Sequence, residues 1–161
     1  MKTRSSHSLP LLAVVAGGAF LLAIAGCSKA PEAPPKVVEI SVDDSMKFSV
    51  NEIEVTHGQK VNIVLKNVGT SPKASMGHNW VGLNKGVKWE KFVEDASMAA
   101  GQDYVPTASK GKDVFASTKL LGPNESDSIT FTAPHVPGAY DYVCTFPGHA
   151  TQGMKGVLTV K

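Results

Sequence analysis

The stretch Gly138–Val160, GAYDYVCTFPGHATQGMKGVLTV, decides which kind of fold the rest of the chain must join. Its opening residues alternate, so that Tyr140, Tyr142 and Cys144 share one side by the strand period of two. Aromatic company makes that side the expected core face, with Cys144 at the inner edge of the strand where it meets a loop. Pro147-Gly148 turns the chain, Gly153 precedes Met154, and Gly156 to Val160 reads as a returning strand. The segment is therefore a hairpin-like unit whose loop carries a thiol, an imidazole and a thioether in the spacing Cys-x4-His-x4-Met, through Cys144, His149 and Met154.

Outward from this hairpin the texture stays β. KVVEISV and KFSVNEIEVTHGQKVNIVLKNVG alternate apolar and polar residues in short runs, broken at His57-Gly58 and Val68-Gly69. Further strands are expected at Asn79–Leu83, Val114–Lys119 and Asp127–Thr132, with turn signals at Gly122-Pro123-Asn124, Pro134 and Pro137-Gly138. This pattern predicts an all-β fold, a Greek-key β-sandwich of about eight strands or a barrel. One segment departs from it. VKWEKFVEDASMAAG spaces Val87, Phe92 and Val93 nearer to the helical period, with Gly101 as a stop. Residues 85–113 are thus expected to be an insertion with one helix, whose buried face is Trp89, Phe92 and Met98.

The first residues carry Lys2 and Arg4, then an apolar run, then small residues up to Cys27, which is the three-part pattern of an export signal. A single membrane-spanning helix would need about 20 apolar residues, and Leu9 to Gly26 barely reaches that length. The ending Ile24-Ala25-Gly26-Cys27 resembles a bacterial lipobox, which implies cleavage before Cys27 and lipidation of its thiol; an uncleaved anchor and plain secretion are the alternatives. Three parts are expected: a signal peptide over 1–26, the lipidated Cys27 with a Pro- and Ala-rich tether over 27–36, and a domain over 37–161. Removal of the first 26 residues leaves 135 of the 161, enough for one domain with a real core. That remainder carries 14 basic and 14 acidic residues, and this balance provides no basic footprint for nucleic acid. With Cys27 lipidated, Cys144 has no disulfide partner, and an exported free thiol is a liability unless shielded or bound.

Thiolate with imidazole suits copper or zinc, and an added thioether points toward copper. Two histidines and a cysteine with a distant axial methionine make a blue-copper electron-transfer site. One further histidine is then required, and His78 in SMGHNWV, after a turn-forming Thr70–Lys73 and before an apolar strand, is the best candidate.

MGHNWV with CTFPGH, and Met154 followed by KGVLTV, resembles the cupredoxin family, particularly its azurin and auracyanin branches, over Val37–Lys161. The resemblance implies a type 1 blue copper electron carrier with His78, Cys144 and His149 as equatorial ligands and Met154 as the axial one. It further implies the Gly77 carbonyl as a weak fifth ligand, Asn79 behind the metal joining the His78 and Cys144 loops, and Thr145 assisting that link. Met46, Met76, Phe146, Pro147 and Gly148 would form an apolar docking patch around the edge of His149. Two features depart from azurin. Four residues, Ala150 to Gly153, separate the last histidine from the methionine, as in auracyanin, and the azurin disulfide has no counterpart.

Blander readings compete at each position. Cys144 alone would read as a buried structural cysteine, His78 beside Trp80 as a core histidine, and Met154 as packing under the loop. His57 and His135 read as solvated loop residues, though either could tune the site with pH. A copper enzyme would need a second, histidine-rich centre, and only His57, His78, His135 and His149 follow Cys27. Copper delivery or storage would favour Met-rich or Cys-x-x-Cys segments, which the chain lacks. The expected function is therefore single-electron shuttling between redox protein donors and acceptors, by a monomer lipid-anchored in the cell envelope and facing the periplasm or outer surface.

Overall fold

The computed structural model describes residues 33–161. The expected signal peptide, the lipidation site Cys27 and the first part of the tether lie outside the described residues. Eight strands run in the order β1 (Lys36–Val42), β2 (Glu52–Val55), β3 (Lys60–Asn67), β4 (Val81–Leu83), β5 (Val114–Ser117), β6 (Ser126–Thr132), β7 (Gly138–Val143) and β8 (Lys155–Val160). They form two sheets, ordered β1-β3-β6 and β2-β8-β7-β4-β5. β1 runs parallel to β3, β2 runs parallel to β8, and the hairpin β7–β8 is antiparallel with Tyr142 opposite Gly156. The expected all-β sandwich with a helical insertion is the observed architecture.

Alternation in the sequence becomes the two-faced burial of the strands. On β3, Val61, Ile63 and Leu65 are fully buried, while Asn62 and Val64 are half-buried and Lys66 is exposed. They meet Ile40 and Val42 of β1, Ile53 and Val55 of β2, and Leu158 of β8 in one core between the sheets. Trp80 lies fully buried at its centre, stacked on Phe131 at 5.8 Å, tilted against Tyr142 at 5.4 Å and edge-on to Phe115 at 6.1 Å. Each such aromatic pair contributes about 0.5–1.5 kcal/mol beyond simple area burial.

The insertion carries one helix of two turns, α2 (Trp89–Ala96), and two short 3-10 turns at Ala100–Gln102 and Thr107–Ser109. Phe92 and Ala96, four residues apart, are buried with Val81, Leu83, Val105, Val114, Val143 and Ala150 in a second, smaller cluster. Trp89 is half-buried, with the Lys155 ammonium 4.0 Å from its ring centroid. Met98 corrects the sequence expectation: it is 89% exposed. The helix ends at Ala96, and six residues of helical rotation from Phe92 would in any case point Met98 away from the buried face.

Three boundaries also shift. The segment after Ser71 contains a one-turn helix, α1 (Lys73–Met76), where the sequence suggested only a turn; it buries no side chain, so it left no periodicity to read. β4 begins at Val81 rather than Asn79, because the Thr118 hydroxyl takes the Trp80 N–H at 2.9 Å in place of a ladder partner. β5 ends at Ser117, since the Lys119 N–H is taken by the Asp127 carboxylate at 2.8 Å.

Candidate metal centre

Two loops at one end of the sandwich bring the chemistry together. His78 arrives from α1 through Gly77, whose Cα packs so closely that a side chain there would lie 2.8 Å from the Lys73 carbonyl and 2.9 Å from Leu120. The His78 N–H donates to the Leu121 carbonyl at 3.0 Å and its carbonyl accepts from the Leu121 N–H at 2.7 Å. Cys144 stands just past the end of β7, with its N–H on the Met154 carbonyl at 3.1 Å. The intervening loop is wound tightly enough that the Met154 N–H returns to the His149 carbonyl at 3.0 Å.

Ligand atoms of His78, Cys144 and His149 all lie within 4.8 Å of one another, and all three residues are buried. The two imidazole centroids are 4.9 Å apart, and Cys144 Sγ lies 3.5 Å from His149 Nδ1. Met154 is fully buried in the same core as Cys144. His78 is fully buried while His149 keeps 3% exposure, so His149 is the imidazole nearer to solvent.

The electrostatics of this cluster suit a metal better than they suit packing. Neither His78 Nδ1 nor Nε2 meets a well-formed hydrogen-bond partner, although the ring is buried and the Asp43 backbone lies near it. Burying such a polar group unpaired costs about 1–3 kcal/mol. Burial pushes the Cys144 thiol up to about 12, although the backbone N–H groups around it oppose the rise. Burial, with the neighbouring His78 charge, pulls His149 down to about 4, and burial likewise lowers His78 against the pull of Asp44 and Asp43. The apo site thus holds neutral imidazoles aimed at a common point beside a thiol, a donor set that fits a soft or borderline cation. With Met154 alongside, the four side chains form a type 1 copper-like site.

A rigid frame surrounds the donors. Asn79 Nδ2 donates to Thr145 Oγ1 at 2.7 Å and to the Asp103 carbonyl at 2.9 Å, and the Thr145 N–H donates to Asn79 Oδ1 at 2.8 Å. The sequence singled out Asn79 and Thr145; Asp103 left no signal, because it comes from the insertion. Its neighbour Tyr104 packs edge-on against Phe146 at 5.2 Å, so the insertion also supports the His149 loop. Phe146 in turn lies 4.7 Å from the His149 ring. Met46, Met76 and Phe146 are half-buried, and Pro147 and Gly148 are exposed. His57 and His135 are exposed and stand outside the cluster.

Comparison with known proteins agrees with this geometry. The family model for copper binding proteins of the plastocyanin/azurin family matches residues 36–161. An azurin from Pseudomonas denitrificans is 41% identical over 127 residues, covering 77% of this chain and 97% of the relative. An azurin from Bordetella pertussis is 40% identical over 151 residues, covering 89% and 95%. Among solved structures, an auracyanin from Roseiflexus castenholzii superposes with a TM-score of 0.68 at 34% identity, covering 80% of this chain and all but 1% of its own.

Proposed function

The chain belongs to the plastocyanin/azurin family of copper-binding proteins, and from that premise we propose that His78, Cys144, His149 and Met154 hold its copper as it carries single electrons between redox proteins. The observation that carries the assignment is the convergence of three buried donors, from two loops far apart in the sequence, within 4.8 Å. When bound, copper supplies a one-electron Cu(I)/Cu(II) couple. The protein's part is to keep the donors still. Two sheets, the Asn79–Thr145 exchange and the tight 149–154 loop hold the four side chains independently of the electron count, which keeps reorganisation small. The Gly77 carbonyl is the proposed weak fifth donor.

His149 is the proposed port. It is the only one of the two imidazoles with any exposure, and Phe146, Pro147 and Gly148 beside it, with Met46 and Met76, offer an apolar rim. A small apolar rim favours brief encounters that bury little area, as redox partners make. We infer that the chain acts as an electron carrier rather than an enzyme, and as a monomer.

The location also belongs to this proposal. A signal over 1–26 and a lipidated Cys27 would tether the 37–161 domain to a membrane of the cell envelope, with residues 27–36 as spacer. A relative of 40% identity over 124 residues carries the name outer membrane protein H.8, in Neisseria gonorrhoeae, which supports an envelope site. Labelling with radioactive palmitate in the native host tests the anchor: label on the chain, lost in Cys27→Ser, is expected, and an unlabelled chain contradicts it.

The experiment for the function is optical. Purified domain loaded with Cu(II) should be intensely blue from thiolate-to-copper charge transfer, bleach with ascorbate and recolour with an oxidised redox protein. A colourless protein that retains only Cu(I) would instead indicate copper delivery.

A further inference from the structure

Six polar residues are buried in the described chain: Asn67, His78, Asn79, Thr118, Thr145 and His149. Five of them belong to the metal centre, its frame or the Trp80 backbone. Asn67, at the end of β3, has no part in any of these, yet all of its polar groups are engaged. Its N–H donates to the Glu125 carbonyl and its carbonyl accepts from the Asn124 N–H, both at 2.9 Å. Its side-chain Oδ1 accepts the Gly69 N–H at 2.9 Å, and Nδ2 donates to the Leu121 carbonyl at 3.3 Å.

That last acceptor is the carbonyl on which His78 also hangs by its backbone N–H. The point matters because a metal-binding histidine is ordinarily oriented by a hydrogen bond to its outer ring nitrogen. At His78 that bond is weak: neither ring nitrogen meets a partner in good hydrogen-bonding geometry, and only the Asp43 backbone acts on the ring from nearby. Its ring is therefore aimed largely by its backbone and by packing, and the backbone is fastened to Leu121 in both directions. Asn67 fixes Leu121 from the other side.

The same side chain also shapes the approach to the ligand. From Gly69 the chain is pinned by Asp44, whose carboxylate accepts from the Thr70 N–H, the Thr70 hydroxyl and the Ser71 N–H at 3.1, 2.9 and 3.2 Å. A side chain at Gly69 would fall 2.6 Å from Asp44 and 3.1 Å from Asn67, so the strap closes without slack. It leads directly through Pro72 into α1 and then to Gly77-His78.

We propose that Asn67 is a positioning residue for His78, setting the backbone frame that aims its imidazole at the metal. This rests on the copper reading above and extends it to a residue whose side-chain hydrogen bonds reach no ligand side chain.

The test compares Asn67→Leu, which keeps the branched shape and removes both side-chain hydrogen bonds, with Asn67→Asp, which keeps the acceptor for Gly69 and loses the donor to Leu121. In the copper-free protein, amide hydrogen exchange at His78 and Leu121 should quicken about fivefold in both variants relative to a core amide such as that of Ile63, the effect expected for one lost hydrogen bond. In the copper-loaded protein, both variants should still bind one copper but show a changed copper hyperfine splitting and slower electron self-exchange. If exchange quickens equally at His78, Leu121 and Ile63 while hyperfine splitting and self-exchange match the wild type, Asn67 merely stabilises the fold and the proposal is overturned. If only Asn67→Leu shows the effects, the Gly69 contact and not the Leu121 contact matters, which also overturns it. A wild-type protein that never turns blue would instead defeat the copper reading, while the exchange at His78 and Leu121 would still decide the role of Asn67 in the frame.

Discussion

Asn79 and Thr145, 66 residues apart in the chain, exchange two hydrogen bonds: the amide of Asn79 donates to the Thr145 hydroxyl at 2.7 Å and its carbonyl oxygen accepts the Thr145 N–H at 2.8 Å. Each residue directly follows a donor residue, His78 or Cys144. The exchange therefore fixes the separation of the two loops before any metal arrives.

Removing the side chain in Asn79→Ala leaves the buried Thr145 N–H and hydroxyl without partners and frees the Asp103 carbonyl. The copper-free protein should lose about 2 kcal/mol, within the range for buried groups left unpaired. Thr145→Ala should cost less, and the double variant less than the sum of the singles. Thermal unfolding of the four proteins measures this, and strict additivity would mean that the two residues do not act together.

Copper loading should release a proton. Burial holds the Cys144 thiol up at about 12 and His149 down at about 4, so near neutral pH the apo site carries a protonated thiol and neutral imidazoles. Ligation needs the thiolate, so about one proton should leave per Cu(II) bound. Calorimetric titration in buffers of differing ionisation enthalpy counts it. Cys144→Ser should fold, stay colourless and lose this thiol signature.

The copper-free fold should weaken in acid at a defined window. His149 has its folded value depressed to about 4 from the ordinary 6.5, and His78 is also depressed, in both cases mainly by burial. Between these values the unfolded chain binds more protons than the folded one, so stability rises with pH across the window and is fully present above it. Denaturant midpoints of apo protein should fall as pH drops from 6.5 toward about 4, relative to a His78→Gln, His149→Gln double variant. Parallel midpoint curves for the two proteins would contradict the burial of neutral imidazoles.

Surface and core of the insertion should respond unequally. Met98→Ser should leave stability within about 0.5 kcal/mol of the parent, as at ordinary surface sites. Phe92→Ala opens the cluster beneath α2 and should cost about 3 kcal/mol. Equal losses would place Met98 back in the core, against its exposure in the structure.

How much of this the sequence disclosed follows from the kind of signal each residue left. The strands were legible because Val61, Ile63 and Leu65 alternate against polar neighbours, and a period of two has no other common cause. The donors were legible because a thiol, two imidazoles and a thioether in loop spacing are chemically improbable as packing alone. α1 was not legible, since one turn with no buried residue has no period. Met98 misled because an apolar residue two steps beyond a helix end looks like the helix's own face. Asn67 was readable and passed over: it stands in the inward phase of Val61-Ile63-Leu65, where a polar residue requires partners. Asp103 could not be read, because only the folded insertion brings its carbonyl to Asn79.

The most direct measurement is X-ray absorption at the copper edge of the loaded domain, with thiol titration of Cys144 alongside. One short copper–sulfur contact and two copper–imidazole contacts are expected, with the buried Cys144 thiol unreactive in the folded protein. Scattering from nitrogen and oxygen alone, with a freely titrating Cys144, would contradict this ligand set.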